Sequence, residues 1–145
     1  MTPGARLPHP PWWALLIATP FLAAGLDAQV IPRNRPAEIT DSAIAWGKAL
    51  FEGSANCSRC HGPGGRGTEY GPDLADAIWW HGPGSYEWLV REVTHGIPEN
   101  LTVTGQPMPP RGWAPMHEAD VKAVAAYVWS ISHPPRPVQS RLERQ

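Results

Sequence analysis

Cys57-Ser58-Arg59-Cys60-His61 contains both cysteines of the chain. Two cysteines separated by two residues and followed at once by a histidine form the C-x-x-C-H pattern of c-type haem attachment. Each thiol can add to one vinyl group of haem, and the adjacent imidazole can bind the iron as an axial ligand. The motif therefore predicts one haem c, bound covalently through Cys57 and Cys60, with His61 as a ligand of its iron.

Other uses of a C-x-x-C pair require features that this sequence lacks. A zinc site needs further ligands, and without a second cysteine pair His61 and a distant histidine would have to complete it. A thioredoxin-like redox pair belongs to a strand–helix context, and no segment here shows convincing strand alternation. A disulfide within the motif would close a very short ring. Haem attachment is the interpretation that the motif favours.

The composition agrees with a single domain that contains a large bound group. The chain has 145 residues, 42% of them hydrophobic, which is too apolar for a disordered protein. The net charge of −1 provides no basic field for nucleic acid. The 18 prolines and 14 glycines indicate long irregular segments. We therefore expect something other than helix packing to fill part of the core.

The N-terminal segment, residues 1–28, has the layout of a signal peptide. Arg6 precedes an apolar run from Trp12 to Leu26, and small residues close the segment. As a helix the run is roughly 22 Å long, which is short of the ~30 Å core of a bilayer. The alternative is a short membrane anchor, but Arg33 and Arg35 then lie on the exported side, against the positive-inside bias. Either interpretation places the remainder of the chain on the exported side.

The rest of the chain divides into a linker at residues 29–39, a domain at residues 40–132 and a proline-rich flexible tail at residues 133–145. Helical periodicity and capping signals predict three helices in the domain, of which the first has Thr40 as its N-cap and ends at Glu52. The second begins at Ser85 and ends at Gly96, and the third begins near His117. The long loops between the helices are expected to wrap a bound group.

Over about residues 40–132 the sequence resembles a class I c-type cytochrome. It is most similar to the single-haem domains of the cytochrome c subunit III family of cbb-type oxidases. Segments that resemble the family's motifs occur in the family's order; they are Gly47-Lys48-Ala49-Leu50-Phe51, Cys57 to Gly62, Gly71-Pro72-Asp73-Leu74, Asp76 to Gly82, Met108-Pro109, and Ala125-Ala126-Tyr127-Val128-Trp129-Ser130.

The resemblance implies an all-α class I cytochrome c fold with three main helices and long loops around one covalent haem. The first and last helices would cross at Gly47, with Phe51 and Tyr127 in contact. Because glycine has no side chain, the facing helix can approach closely at that position.

The resemblance also implies roles for residues of the haem pocket. The carbonyl group of Pro72 would accept a hydrogen bond from the second ring nitrogen of the iron-binding histidine, which fixes the tautomer. Leu74 would pack on the porphyrin face. Trp79 is the preferred tryptophan for lining the pocket, and Trp88 is the other candidate; an indole N–H there can reach a haem propionate.

Met108 is expected to be the second ligand of the iron. It lies in Gln106-Pro107-Met108-Pro109-Pro110, where the prolines make the backbone stiff and non-helical. Met116 is the alternative, but it precedes the predicted N-cap His117 and can pair with Val121 as a hydrophobic staple. A histidine is a further alternative.

The predicted function is electron transfer by Fe(II)/Fe(III) cycling between redox protein partners, without enzymatic activity of its own. The expected location is the periplasm or the exported face of the membrane. The chain would act as a carrier or as a cytochrome subunit of a respiratory, photosynthetic or dehydrogenase complex, so membrane association through such a complex or the N-terminal segment remains open. A haem enzyme or gas sensor with an open distal site is the alternative, and Met108 argues against it.

Overall fold

The computed structural model describes residues 34–76 and 78–134. The predicted signal segment and nearly all of the predicted tail lie outside these residues. The described part contains four α-helices, which are α1 (Asp41–Glu52), α2 (Cys57–His61), α3 (Tyr86–His95) and α4 (Glu118–Ser132). Three short 3₁₀ turns accompany them at Pro63–Gly65, Glu99–Leu101 and Pro110–Trp113.

The three helices predicted from the sequence are confirmed as α1, α3 and α4, and the predicted capping residues of α1 and α3 act as expected. The Thr40 hydroxyl accepts a hydrogen bond from the Ala43 N–H at 3.1 Å, which caps α1. The Ser85 hydroxyl accepts one from the Trp88 N–H at 3.3 Å at the start of α3. Such caps satisfy amide groups that have no partner in the first turn of a helix.

The C-x-x-C-H motif itself forms α2, a helix of five residues that is not among the three helices predicted from the sequence. Asn56 precedes it with a left-handed backbone at φ 58°. A single turn of helix is too short to show amphipathic periodicity, so no sequence pattern predicts this helix. The helix brings Cys57 and Cys60 onto one face, since residues three apart are neighbours on a helix.

The core of the domain forms where α1 crosses α4. A Cβ atom at Gly47 would overlap the carbonyl oxygen of Ala123, so the two backbones touch where the sequence predicted a close approach. Phe51 and Tyr127 pack edge to face with ring centroids 5.2 Å apart. This crossing, with no strand among the described residues beyond two isolated bridges, confirms the predicted all-α class I cytochrome fold.

Two residues assigned from the sequence to the flanking segments pack against the domain. Ile39, in the predicted linker, is 2% exposed. His133, in the predicted tail, stacks on Trp129 with ring centroids 4.3 Å apart. The packed unit therefore extends beyond the predicted domain at both ends.

Within the described ranges no helix combines the length and the apolar character needed to cross a membrane.

Candidate haem site

A cavity of about 660 Å³ lies among α2, α3, α4 and the loops between them. Its lining includes α3 side chains such as Leu89 and Val93 and the α4 side chains Val124 and Val128. All seven site residues predicted from the sequence line this one cavity; they are Cys57, Cys60, His61, Pro72, Leu74, Trp79 and Met108. The fold thus brings together residues spread over about half of the described chain.

The two cysteines carry free thiols at the cavity wall. Burial raises the pKa of Cys57 to about 11, so its thiol stays protonated at neutral pH. A redox-active dithiol needs the opposite, a lowered pKa that supplies thiolate. Among the described residues no group of three or more histidine, cysteine, aspartate or glutamate side chains is arranged to hold a metal ion. Neither the redox pair nor the zinc site therefore gains support.

The imidazole of His61 is oriented by the backbone of the following loop. Its Nδ1 lies 3.0 Å from the carbonyl oxygen of Pro72, the partner that the resemblance implies. When Nδ1 donates this hydrogen bond, Nε2 keeps its lone pair for a metal. Burial lowers the pKa of His61, against the opposing effect of the Pro72 hydrogen bond. The ring is therefore neutral at pH 7, as a metal ligand must be.

The glycine-rich loop after α2 folds back on the helix and fixes the position of Pro72. The Gly67 N–H donates to the carbonyl of His61 at 2.6 Å, and the Leu74 N–H donates to the carbonyl of Gly65 at 2.6 Å. Gly65 and Gly67 both have positive φ, at 72° and 77°, a conformation that favours glycine. The loop therefore holds both the Pro72 carbonyl and the half-buried Leu74 at the cavity.

Met108 is held at the cavity by a backbone bridge to Ile97, just after α3. The Ile97 N–H donates to the Met108 carbonyl at 2.9 Å, and the Met108 N–H donates back at 2.9 Å. Met116 lines no part of the cavity. It is 8% exposed and, with the fully buried Val121, occupies the staple positions at the start of α4.

Four tryptophans contribute to the cavity lining. Trp79 and Trp88 form a T-shaped pair with ring centroids 5.5 Å apart. Trp80 and Trp113 also line the cavity, a placement that the sequence did not predict. They are 67% and 81% exposed. Single tryptophans in loops show no periodicity, so the sequence has no signal that reveals this placement.

The residues present fit a haem c. The free thiols of Cys57 and Cys60 lie on one face of α2. The neutral imidazole of His61 follows them and is oriented through its Nδ1. The thioether of Met108 belongs to a loop that a backbone bridge to Ile97 holds in place. The walls are mainly apolar, as a macrocycle requires, and one buried indole nitrogen in them has no hydrogen-bond partner.

Comparison with known proteins places the site in a family. Residues 44–132 match the family model described as cytochrome c. The chain is similar to the cbb3-type cytochrome c oxidase subunit CcoP of Rubrivivax gelatinosus, with 34% identity over 90% of this chain and 36% of that protein. It is also similar to the subunit FixP of Azorhizobium caulinodans, with 35% identity over 66% of this chain and 31% of that protein. This chain spans about a third of the length of these relatives.

Among solved structures, the chain is similar to cytochrome cL from the marine methylotroph Methylophaga aminisulfidivorans. The TM-score is 0.48 at 24% identity, and the alignment covers 63% of this chain and 54% of the other.

Proposed function

The chain belongs to the cytochrome c family, whose members bind haem c covalently, and we propose that it is a monohaem electron carrier. The bound haem supplies an iron that cycles between Fe(II) and Fe(III). The observation behind this proposal is that one cavity receives both the C-x-x-C-H motif and Met108. With His61 and Met108 both holding the iron, electrons would pass without any change in its ligands.

Each residue of the site has a role in this proposal. Cys57 and Cys60 hold the cofactor through thioether bonds, and His61 and Met108 bind the iron. The Pro72 carbonyl keeps the His61 ring in one tautomer and raises its basicity as a ligand, since its oxygen lies 3.0 Å from Nδ1. Leu74 and Trp79 exclude water from the porphyrin, which lowers the local dielectric and favours the less charged Fe(II) state.

The alternative of a haem enzyme or gas sensor requires an open position on the iron. Met108 lines the cavity on a loop that two backbone hydrogen bonds tie to Ile97. Because the backbone of Met108 is already held there, its thioether loses little conformational entropy when it binds the iron. We therefore favour electron transfer over chemistry at the iron.

The proposed location is the exported side of the membrane, reached through the signal peptide or anchor of residues 1–28. The relatives from R. gelatinosus and A. caulinodans are subunits of cbb3-type oxidases. We propose that this domain likewise delivers electrons to a respiratory complex, as a subunit or as a mobile carrier. Residues 38–132 contain eleven acidic and six basic side chains, so the domain is acidic and suits a partner with a basic surface.

Oxidation by a terminal oxidase tests this function. The matured ferrous protein is mixed with membranes that contain a cbb3-type oxidase, and haem oxidation and oxygen uptake are followed together. We expect oxidation that requires the oxidase and slows as salt is added, because salt screens charge attraction. Membranes from a strain without the oxidase are the control. Equal oxidation in both membranes contradicts the proposed partner. If the ferrous protein instead binds carbon monoxide readily without denaturation, the open-site alternative is correct.

A further inference from the structure

Among the described residues, one hydrogen bond joins the two long loops of the haem cavity. The proximal loop, residues 62–76, follows the C-x-x-C-H motif, and the distal loop, residues 97–109, contains Met108. The Thr104 hydroxyl of the distal loop donates to the carbonyl oxygen of Tyr70 in the proximal loop, at 3.2 Å. Both residues line the cavity. The bond therefore connects the histidine side of the site to the methionine side.

The acceptor of this bond is held in place by the helix that carries the cysteines. The Tyr70 N–H donates to the Thr68 hydroxyl at 3.0 Å, and that hydroxyl donates to the carbonyl of Cys60. The Thr68 N–H donates to the carbonyl of Gly71 at 2.9 Å, which closes the turn around Tyr70. The Tyr70 carbonyl is therefore a fixed point on the proximal side of the cavity.

The distal loop is held at its two ends by the backbone bridge between Ile97 and Met108. Between these ends, the Thr102 hydroxyl donates to the carbonyl of Glu99 at 2.9 Å, a bond that stays within the loop. The Thr104 hydroxyl, two residues further on, reaches out of the loop. Two threonines of one loop thus make the same kind of bond, one local and one across the cavity.

We propose that Thr104 is a positioning residue whose bond to Tyr70 keeps the two loops closed over the haem and so helps to keep Met108 on the iron, an inference that rests on the proposed binding of haem c. Tyr70 is 52% exposed and Thr104 is half-buried, so the bond lies where the cavity opens to solvent. An external ligand that replaces Met108 has to enter between the two loops. Opening them breaks this bond, which slows the opening by about two- to fivefold.

Imidazole binding to the ferric holoprotein measures this opening. Imidazole replaces Met108 on the iron, and at high imidazole concentration the observed rate reaches a limit set by release of the thioether. Loss of the far-red sulfur–iron charge-transfer band follows the reaction. Thr104→Val keeps the shape of the side chain without its hydroxyl, and we expect it to raise the limiting rate about two- to fivefold. Thr104→Ser retains the hydroxyl and should react at the rate of the unaltered protein.

Thr102→Val is the matched control. Thr102 is also half-buried, lines the same cavity and donates its hydroxyl to a backbone carbonyl, but that carbonyl belongs to its own loop. We expect Thr102→Val to leave the limiting rate unchanged. Equal acceleration in Thr102→Val and Thr104→Val, no acceleration in Thr104→Val, or a Thr104→Ser variant as fast as Thr104→Val would overturn the proposal.

The outcomes separate this inference from the proposed function. If the unaltered ferrous protein binds carbon monoxide readily without denaturation, the iron has an open position and both proposals fail. If it does not, and Thr104→Val reacts with imidazole no faster than Thr102→Val, the electron-carrier proposal stands and only the role of Thr104 is wrong.

Discussion

At the scale of single residues, the site depends on backbone groups as much as on side chains. His61 is oriented by a carbonyl oxygen 3.0 Å from its Nδ1, and Met108 is held through its own N–H and carbonyl by Ile97. Backbone partners of this kind cannot be removed by substituting the residue that supplies them. The informative substitutions are therefore those of the ligands themselves.

Met108→Ala is expected to open a coordination position on the iron. Because thioether ligation favours Fe(II), its loss should lower the reduction potential, and the ferrous haem should bind carbon monoxide. Potentiometry and the visible spectrum under carbon monoxide measure both effects.

Met116→Ala is the matched control, since it removes the other methionine near this region. It should leave the ligand set intact and destabilise the fold by about 2–3 kcal/mol, because it leaves space around the start of α4. If the far-red sulfur–iron charge-transfer band survives Met108→Ala and disappears in Met116→Ala, the ligand assignment is inverted.

At the scale of helices, α1 and α4 form the packed pair around which the loops are arranged. The backbones touch at Gly47, where any Cβ atom overlaps the carbonyl oxygen of Ala123. A backbone carbonyl inside a helix cannot rotate away as a side chain can. The two helices therefore have to separate if Gly47 is replaced.

Gly47→Ala should destabilise the holoprotein by about 2–3 kcal/mol despite the better helix propensity of alanine, because overpacking outweighs it. The free energy of unfolding in guanidinium chloride, followed by circular dichroism, measures this. Lys48→Ala is the control on the neighbouring exposed position, where we expect a change within about 0.5 kcal/mol. Equal stability of both variants would show that the crossing tolerates a side chain.

The sequence was sufficient to predict α1, α3 and α4 because each spans ten or more residues and begins at a capping group. It did not predict α2, whose five residues are too few for periodicity. The unpaired indole nitrogen of Trp88 could also not be predicted from the sequence, since it depends on how α3 packs against Gly82 and Trp79. Arg111 and Trp113, with φ of 53° and 56°, adopt a left-handed turn that residue types alone do not indicate.

At the scale of the whole molecule, the cavity explains the unusual composition. The segments rich in glycine and proline are the loops that supply Pro72, Leu74 and Met108 to one cavity. The sequence predicted that the C-x-x-C-H motif, Pro72, Leu74 and Met108 would surround one haem, because each belongs to a recognisable motif. The placement of the exposed tryptophans Trp80 and Trp113 could not be predicted, because exposure of a loop side chain depends on tertiary packing.

The N-terminal segment leads to a prediction about the mature chain. Cleavage of the predicted signal peptide should produce a protein that begins between Leu26 and Ile31, because small residues close the apolar segment. Intact mass of native material measures this. A full-length chain that stays with membranes after salt washing would establish the anchor instead.

Covalent attachment of one haem c through Cys57 and Cys60 is the claim on which the rest of the account depends. The chain is expressed with a cytochrome c maturation system, denatured and extracted with acid-acetone, and its intact mass is recorded beside that of the Cys57→Ala/Cys60→Ala variant. We expect the pigment to stay with the polypeptide, whose mass increases by one haem, and the variant to gain none. Free extraction of the haem, or a mass equal to that of the polypeptide alone, would contradict it.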